Sequence, residues 1–388
     1  MWSDIMQLSM PDEQTQTQVP EISTSTLPKM FPISLLLVGL VGAAVVGASA
    51  YWFFFREIAA PARQVVIGIP YFPQQLDAVT GFKEGMARLG YVEGTDVRYV
   101  MAKTVVNPNM FEEIEANIRR MIVEEKVDVI LGTLEHSAKI ALDMTKEMGR
   151  QDIPIVFLTR FHDPIEYGLA SSFKSSGNNA TGVAVNLADI IERTLAFFKE
   201  INPGFKRLGI FTDGFMAPGI GDAYLEELER QTPEFGIQIV EYTTGVPPPE
   251  AEAEFHRIAD TVKNGDIDGL FHIAGHFYPT QEIAESELAT RLGIPMAAPF
   301  EDLPNGGTFS YSDEFSFSGA QAAAMVDKVL KGMKPSDIPI EFGGKSVLTL
   351  ILGRARDAGV EFTDSMLFIA ANKFEDGSDF PPIFHERE

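Results

Sequence analysis

The sequence predicts an α/β protein with doubly wound parallel sheets in two lobes, preceded by one transmembrane helix. Short runs rich in β-branched residues alternate with amphipathic stretches, which is typical of parallel sheets covered by helices. The alternation occurs in two consecutive series with no linker rich in Gly, Ser or Pro between them, which favours two lobes over two independent domains. Before the first series, a long stretch near the N-terminus carries no charge.

The uncharged stretch covers residues 31–55, FPISLLLVGLVGAAVVGASAYWFFF. At about 1.5 Å per residue a helix of this length reaches roughly 37 Å, which spans a hydrocarbon core of about 30 Å. Ala48-Ser49-Ala50 resembles a signal-peptide cleavage site. The segment before the stretch is long and acidic, however, and the apolar run continues past this site. We therefore expect a retained anchor.

Small residues recur along this predicted membrane helix. Gly39, Ala43 and Gly47 are spaced every four residues, a pattern that allows close packing of a second helix in lipid. Gly and Ala are also common in membrane helices generally, so the packing role and a compositional origin both stand. Residues 1–30 are polar and acidic, which predicts a flexible tail.

The first series of elements follows the span. Val79, Phe82 and Met86 share one face of a predicted helix, and apolar runs ending in Gly or a turn predict buried strands. The predicted strands are 64–69, 96–101, 127–132 and 153–158, and the predicted helices are 78–89, 111–125 and 137–148.

The second series repeats the pattern. Its predicted strands are 207–212, 236–242, 268–274 and 294–299, and its predicted helices are 223–231, 251–263, 282–292 and 317–331. The C-terminal tail, residues 376–388, is predicted to be irregular.

Composition excludes several classes of protein. The chain has 388 residues, 31 Lys and Arg against 55 Asp and Glu, and a formal net charge of −24. Such acidity argues against nucleic acid or anionic lipid headgroups as partners, because their phosphates attract clustered Lys and Arg. With no cysteine there are no disulfides, thiol nucleophiles or lipid anchors on Cys.

The sequence also predicts no enzyme, no cofactor and no metal site. It contains neither a G-x-S-x-G nucleophile motif nor a Walker phosphate loop. His272 and His276 are close in sequence, but no metal-ligand spacing is present, and His272 lies in an apolar strand where a packed imidazole is the usual outcome.

Several segments together resemble the ABC-transporter substrate-binding family, in its tryptophan/tyrosine-type, largely uncharacterised branch. The match runs from about Gln64 to Glu375, and its order and spacing are more specific than any one motif. The segments are GFKEGMARLGYVEGTDV (81–97), VDVILG (127–132), IPIVF (153–157), HDPIEYGLA (162–170), NNATGV (178–183), RLGIF (207–211) and VDKVLKGMKPSDIPIEF (326–342).

The resemblance implies a type I periplasmic-binding-protein fold, in which two Rossmann-like lobes are joined by three crossovers. We expect these crossovers, the candidate hinges, near Val183, Pro299 and Lys345. Lobe 1 would then comprise 64–182 and about 299–345, and lobe 2 would comprise 183–298 and about 346–375. The resemblance also implies an extracytoplasmic main domain, with the N-terminus in the cytoplasm.

Ligands of doubly wound folds bind beyond the carboxyl ends of the strands. We expect aromatic side chains such as Phe161 to supply stacking walls there, hydroxyls to donate hydrogen bonds, and Arg160 to bind a ligand carboxylate in a bidentate fork. The sequence 133–137, TLEHS, departs from the small polar loop of the family. The cleft candidates are Tyr71, Phe72, Thr133, Ser137, Arg160, Asp163, Asp213, His276 and Glu301.

Two hypotheses about function follow. The first is a solute-binding protein of the ABC-transporter type, anchored in the bacterial inner membrane with its main domain in the periplasm. It would bind a small organic solute such as an amino acid or an aromatic acid, and its partner would be a permease. The alternative is a non-catalytic accessory subunit of a photosynthetic or respiratory membrane complex, docked through the transmembrane helix and tail. Fold alone does not separate them.

Overall fold

The computed structural model describes residues 63–380, except 106, 108, 214–220 and 274–280. The predicted tail 1–30, the predicted transmembrane helix 31–55 and its packing residues Gly39, Ala43 and Gly47 lie outside these residues. Within the described part of the chain, no helix is both long and apolar enough to cross a membrane.

Lobe 1 is built on a sheet of six strands, all parallel, in the order β11-β5-β4-β3-β1-β2. Ile67 and Ile69 face helices on one side of the sheet, while Val66, the residue before Ile67, faces the other side. Both faces are therefore covered, as expected for a parallel sheet. The strands are β1 (Val65–Tyr71), β2 (Val97–Lys103), β3 (Val129–Gly132), β4 (Ile155–Leu158), β5 (Ala180–Ala184) and β11 (Glu341–Phe342).

Lobe 2 is built on a sheet of seven strands in the order β13-β12-β10-β9-β8-β6-β7. The pairing of β10 with β12 is antiparallel, and the other pairings are parallel. The strands are β6 (Arg207–Asp213), β7 (Gln238–Thr244), β8 (Gly269–Phe271), β9 (Met296–Ala297), β10 (Phe309–Asp313), β12 (Ser346–Ile351) and β13 (Asn372–Phe374).

Ten helices cover these sheets within the described residues. They are α1 (Leu76–Arg88), α2 (Met110–Val123), α3 (Glu135–Glu147), α4 (Leu187–Ile201), α5 (Gly221–Gln231), α6 (Pro248–Ala259), α7 (Gln281–Leu292), α8 (Phe315–Leu330), α9 (Leu352–Asp357) and α10 (Asp364–Ile369). Short 3₁₀ turns lie at Pro73–Gln75, Pro335–Asp337 and Gly377–Asp379.

The chain passes between the lobes three times. It leaves lobe 1 after β5 at 185–186, returns at Glu314 between β10 and α8, and leaves again at 343–345 between β11 and β12. The three passages are adjacent. The Gly343 N–H donates to the Ala184 carbonyl oxygen at 2.9 Å, and the Glu314 N–H donates to the Lys345 carbonyl oxygen at 2.8 Å.

These positions correct the predicted lobe boundaries. Pro299 follows β9 inside lobe 2, so the second passage lies at Glu314 and not near Pro299. Residues 299–313 therefore belong to lobe 2, because β10 pairs with β9 and β12. Val183 lies in β5 just before the first passage, and Lys345 lies within the third.

Lobe 1 is completed by α8, which packs closely on α1. A Cβ at Gly81 would lie 1.9 Å from the Ser316 carbonyl oxygen, and a Cβ at Gly319 would lie 2.0 Å from the Ala78 carbonyl oxygen. Glycine at these positions lets the two helix backbones touch. The segment that returns from lobe 2 is thereby fixed to lobe 1.

The strands and helices predicted in both series are present, with ends shifted by a few residues. The strand predicted at 294–299 is reduced to Met296–Ala297. The elements that the sequence patterns missed are β5, α4, β10, β11, β12 and β13, together with the short helices α9 and α10. Most of these elements are short, or they are buried mainly by the strand that pairs with them. Their local patterns of apolar and polar residues are therefore weak.

Candidate functional site

The two lobes meet through the loops at the carboxyl ends of their strands. Arg160 follows β4 in lobe 1, and Glu301 follows β9 in lobe 2. Arg160 Nη2 lies 2.5 Å from Glu301 Oε1, and the two side chains are only 3% and 7% exposed. The fold thus places a buried ion pair across the cleft.

Arg160 is held by further contacts within lobe 1. Its Nη1 donates to the Gln74 carbonyl oxygen at 2.9 Å, and its Cζ lies 3.9 Å from the centroid of the Phe315 ring. Such stacking of a cation on an aromatic face is favourable when both are desolvated. Burial disfavours the charged guanidinium, but Glu301 and Asp77 outweigh this effect and raise the pKa of Arg160.

Aromatic side chains form a second contact between the lobes. The Phe161 ring meets the Tyr224 ring edge to face, with centroids 5.7 Å apart, and Tyr224 in turn packs against Phe271. Burial, and then the Glu301 carboxylate, raise the pKa of Tyr224 far above its usual value. Its hydroxyl therefore stays neutral beside the ion pair.

A buried carboxylate supports the Arg160 loop from behind. The backbone N–H groups of Arg160, Phe161 and His162 donate to the fully buried Glu135 carboxylate at 2.9, 3.0 and 3.1 Å. His162 Nδ1 lies 2.8 Å from Glu135 Oε1. Burial alone would raise the pKa of Glu135, but His162, His136 and the backbone donors lower it. We call Glu135 and residues 160–162 the Glu135 cluster.

A buried histidine supports the Glu301 loop. His272 Nδ1 lies 2.7 Å from Glu285 Oε2, and His272 Nε2 lies 3.8 Å from Asp302 Oδ2. Burial opposes the charge on His272, but Glu285 and Asp302 outweigh it and raise the pKa of His272 to about 9. The imidazole is therefore cationic at neutral pH. We call His272, Glu285 and Asp302 the His272 cluster.

The passages between the lobes carry charged groups of their own. The Ser346 hydroxyl donates to Asp313 Oδ1 at 2.6 Å, and Lys345 forms an ion pair with Glu314. Burial raises the pKa of Asp313 to about 6. The second and third passages are therefore joined by side chains as well as by the backbone.

Several predicted cleft residues use their polar groups within lobe 1. The Thr133 hydroxyl donates to the Pro70 carbonyl oxygen at 2.9 Å, and the Ser137 hydroxyl donates to the Leu134 carbonyl oxygen at 2.8 Å. Asp163 Oδ1 accepts the backbone N–H groups of Ile165 and Glu166 at 2.7 and 3.2 Å. These groups shape the loops that present Arg160.

Four cleft candidates remain, namely Tyr71, Phe72, Asp213 and His276. Phe72 is buried in the core of lobe 1, and Tyr71 is partly buried at the end of β1. Asp213 is the last residue of β6, but its side chain lies outside the described residues, as does all of His276. Among candidates with described side chains, Arg160 and Glu301 are the pair that the fold brings together.

Sequence reasoning missed the residues that support this pair. The sequence marks Glu135 only as part of an unusual loop and does not reveal it as the acceptor of three backbone N–H groups. Phe315 and Tyr224 were not singled out, because they lie far from Arg160 along the chain. A helix that starts with an acidic residue directly after a strand was the available signal for Glu135.

In the described part of the chain, no group of three or more His, Asp or Glu side chains is arranged to hold a metal ion. His272, a ligand candidate by type, has its Nδ1 directed at Glu285 instead.

The chain is similar to known proteins over most of its length. A family model described as ABC transporter substrate binding protein matches residues 66–374. No curated protein sequence matches the chain.

Three solved structures have a similar fold. An ABC domain in complex with L-Trp from Streptococcus pneumoniae has a TM-score of 0.65 and 18% identity, and the alignment covers 80% of this chain and 100% of that one. A conserved domain protein from Vibrio cholerae has a TM-score of 0.64 and 19% identity, with the same coverage. A ligand-free, open substrate-binding protein with adhesive properties from Clostridium difficile has a TM-score of 0.60 and 19% identity, covering 80% and 99%.

Proposed function

We propose, since this chain belongs to the ABC transporter substrate-binding protein family, that it captures a small organic solute between its two lobes and presents it to a permease. The observation that carries this proposal is the meeting of the two lobes at the carboxyl ends of their strands, through Arg160 with Glu301 and Phe161 with Tyr224. Ligands of doubly wound folds bind at such edges.

The passages between the lobes support capture by hinge closure. The three passages are adjacent, so a change of backbone angles at 185–186, Glu314 and 343–345 would open the opposite edge. We assign the hinge to these segments, with Val183 and Lys345 at or beside them. A solute that contacts both lobes binds the closed state better and shifts the equilibrium toward it.

The N-terminal segment would hold this domain at the membrane. The uncharged residues 31–55 support a single-pass anchor in the bacterial inner membrane, with residues 1–30 in the cytoplasm and the two lobes in the periplasm. A tether of this kind raises the effective concentration of the binding domain near its permease. The spacing of Gly39, Ala43 and Gly47 supports packing against a membrane helix of that permease.

Solute capture is tested by calorimetric titration of the full chain in detergent with L-tryptophan, the other amino acids and aromatic acids. We expect saturable binding of one class, weakened by Arg160→Ala by about 1.5–3 kcal/mol because the Arg160–Glu301 ion pair that joins the two lobes in the closed state is lost. Arg150→Ala is the matched control, since Arg150 pairs with Asp152 on the surface of lobe 1. The absence of binding by the whole panel, or equal effects of the two variants, would contradict the proposal.

A second candidate function is the accessory subunit of a membrane complex, and one observation favours it: the cleft already holds an ion pair of its own side chains, Arg160 with Glu301. Gentle solubilisation of native membranes, with mass analysis of the co-purifying chains, separates the two. Stoichiometric migration with a redox or pigment complex supports the accessory role, and recovery with an ABC permease supports solute capture.

A further inference from the structure

We propose that Glu301 is an internal carboxylate that occupies the place on Arg160 that an acidic solute would need. The cleft would then close without a solute and would accept a solute with a cationic amine in preference to an acid. This inference rests on the proposed solute capture and names the chemical class of the solute.

The first argument is geometric. Glu301 Oε1 lies 2.5 Å from Arg160 Nη2, so the two buried side chains form an ion pair. A second guanidinium nitrogen, Nη1, donates to the Gln74 carbonyl oxygen, and the Phe315 ring covers one face. A ligand carboxylate that approaches Nη2 would therefore compete with Glu301 for this nitrogen.

The second argument is that Glu301 is held in place and is not a loose side chain. The next residue, Asp302, lies beside His272, and Asn305 Nδ2 donates to Glu282 Oε1 at 3.0 Å. Arg354 Nη1 lies 2.5 Å from the Leu303 carbonyl oxygen. These contacts fix the loop to lobe 2, so little conformational entropy is lost when Glu301 meets Arg160.

The third argument is the charge around the guanidinium. Besides Glu301, the carboxylates of Asp77 and Asp302 act favourably on Arg160, and Asp313 also lies within its electrostatic reach. Several carboxylates therefore act on this one guanidinium, while the His272 cation lies beside Asp302 alone among them in the described contacts. An incoming carboxylate would be repelled by these groups, while an amine would be attracted.

The closing role of Glu301 can be measured without any solute. Lys103 ends β2 and Gly245 follows β7, at the sheet edges opposite the three passages, where opening is widest. Both positions are exposed, and a Cβ at Gly245 meets no atom within 4 Å. The chain has no cysteine, so spin labels on Lys103→Cys and Gly245→Cys attach at these positions alone.

In the full chain in detergent, we expect a longer mean distance between the labels when Glu301→Gln is introduced. Glu301→Asp, which keeps the charge but shortens the side chain, should lengthen it as well. Glu375→Gln is the matched control, because Glu375 pairs with Arg356 on the exposed surface of lobe 2. Circular dichroism confirms that each variant is folded. Unchanged distances in both Glu301 variants would overturn the internal closure.

The selectivity is measured with three probes that share one ring: tryptamine, L-tryptophan and indole-3-propionate. We expect wild-type protein to bind tryptamine at least about tenfold more tightly than indole-3-propionate, and Glu301→Gln to tighten binding of the acid by about tenfold or more. An acid that binds wild type as tightly as the amine, or that gains nothing from Glu301→Gln, would overturn the selectivity. If no probe binds either protein, solute capture fails for this class of ligand, while the label distances still decide the closure.

Discussion

The two lobes support their cleft residues with opposite chemistry. In lobe 1, the Glu135 cluster places a buried negative charge among three backbone N–H groups and His162, and it thereby positions Arg160. In lobe 2, the His272 cluster places a buried positive charge between Glu285 and Asp302, next to Glu301. Lobe 1 thus buries the Glu135 carboxylate behind Arg160, and lobe 2 buries the His272 imidazolium behind Glu301. In each lobe, the buried charge is opposite in sign to the charge of the cleft residue.

Because the buried charges differ in sign, the two halves of the cleft respond to pH in opposite directions. The pKa of Glu135 is lowered in the folded protein, so its contribution to stability is present above about pH 4.5, its unfolded value, and is lost as the pH falls through the folded pKa. The pKa of His272 is raised to about 9, so its contribution is present below about pH 6.5 and is lost as the pH rises through 9.

Removing the buried carboxylate of lobe 1 should have the largest effect. Glu135→Ala leaves three backbone N–H groups and His162 without their acceptor, which should lower the free energy of unfolding by about 3–5 kcal/mol. Urea denaturation measures this change. Glu115→Ala, at an exposed pair with Arg119 on α2, is the control and should cost less than about 1 kcal/mol. Equal losses in the two variants would show that Glu135 does not organise its loop.

Removing the buried cation of lobe 2 should lower the free energy of unfolding by a smaller amount than Glu135→Ala does. In the described part of the chain, fewer groups contact His272 than contact Glu135. His272→Gln keeps a hydrogen-bonding side chain but leaves the Glu285 carboxylate, 1% exposed, without its counter-charge. Gln281 Nε2 still donates to that carboxylate at 2.9 Å. We expect a loss of about 3 kcal/mol in urea denaturation. A variant as stable as wild type at neutral pH would contradict a charged His272.

Raising the pH should remove much of the stabilisation by charged His272 without a mutation. Around His272 lie Glu285, Asp302 and Glu282, all acidic, together with Gln281, and burial and Asp302 also raise the pKa of Glu282. Between about pH 7 and pH 9, the wild type should lose about 2 kcal/mol relative to His272→Gln. Paired denaturation curves at the two pH values measure this. A constant difference between the proteins would argue against the raised pKa.

The exposed pair Arg356–Glu375 should show the smallest effect. Both side chains are more than half exposed, so solvent and salt screen their attraction. Glu375→Gln should therefore leave the free energy of unfolding, measured by urea denaturation, close to the wild-type value. A loss of stability as large as that of His272→Gln would contradict this reasoning. It would mean that burial does not explain why the Glu135 and His272 clusters stabilise the protein more than exposed ion pairs do.

The order of strands and helices could be predicted because it depends on local patterns. Apolar alternation in β1 and the apolar face of α1 are visible in a few consecutive residues. The helix α4 was missed although Asn186 caps it, with its side chain accepting the Asp189 N–H at 3.3 Å. The strands β10 and β12 were missed because their pairing joins segments far apart in the chain.

Part of the candidate site could also be predicted from local patterns. Arg160 and Glu301 were both named because each follows a predicted strand, where ligands of such folds bind. Their direct contact could not be predicted, since it depends on where the chain passes between the lobes. The second passage was placed near Pro299, whereas the pairing of β10 with β12 keeps the chain in lobe 2 as far as Asp313.

The fold class, the family and the strand ends at which a site is expected follow from local periodicity and from the order of motifs, so the amino-acid sequence is enough to predict them. The use of the charges depends on the tertiary structure. Glu135, His272 and Glu301 are ordinary titratable residues in the sequence, and each acquires its role from a partner across a loop or a lobe. Burial then makes these pairings strong, because a charge removed from water is stable only beside the groups that compensate it.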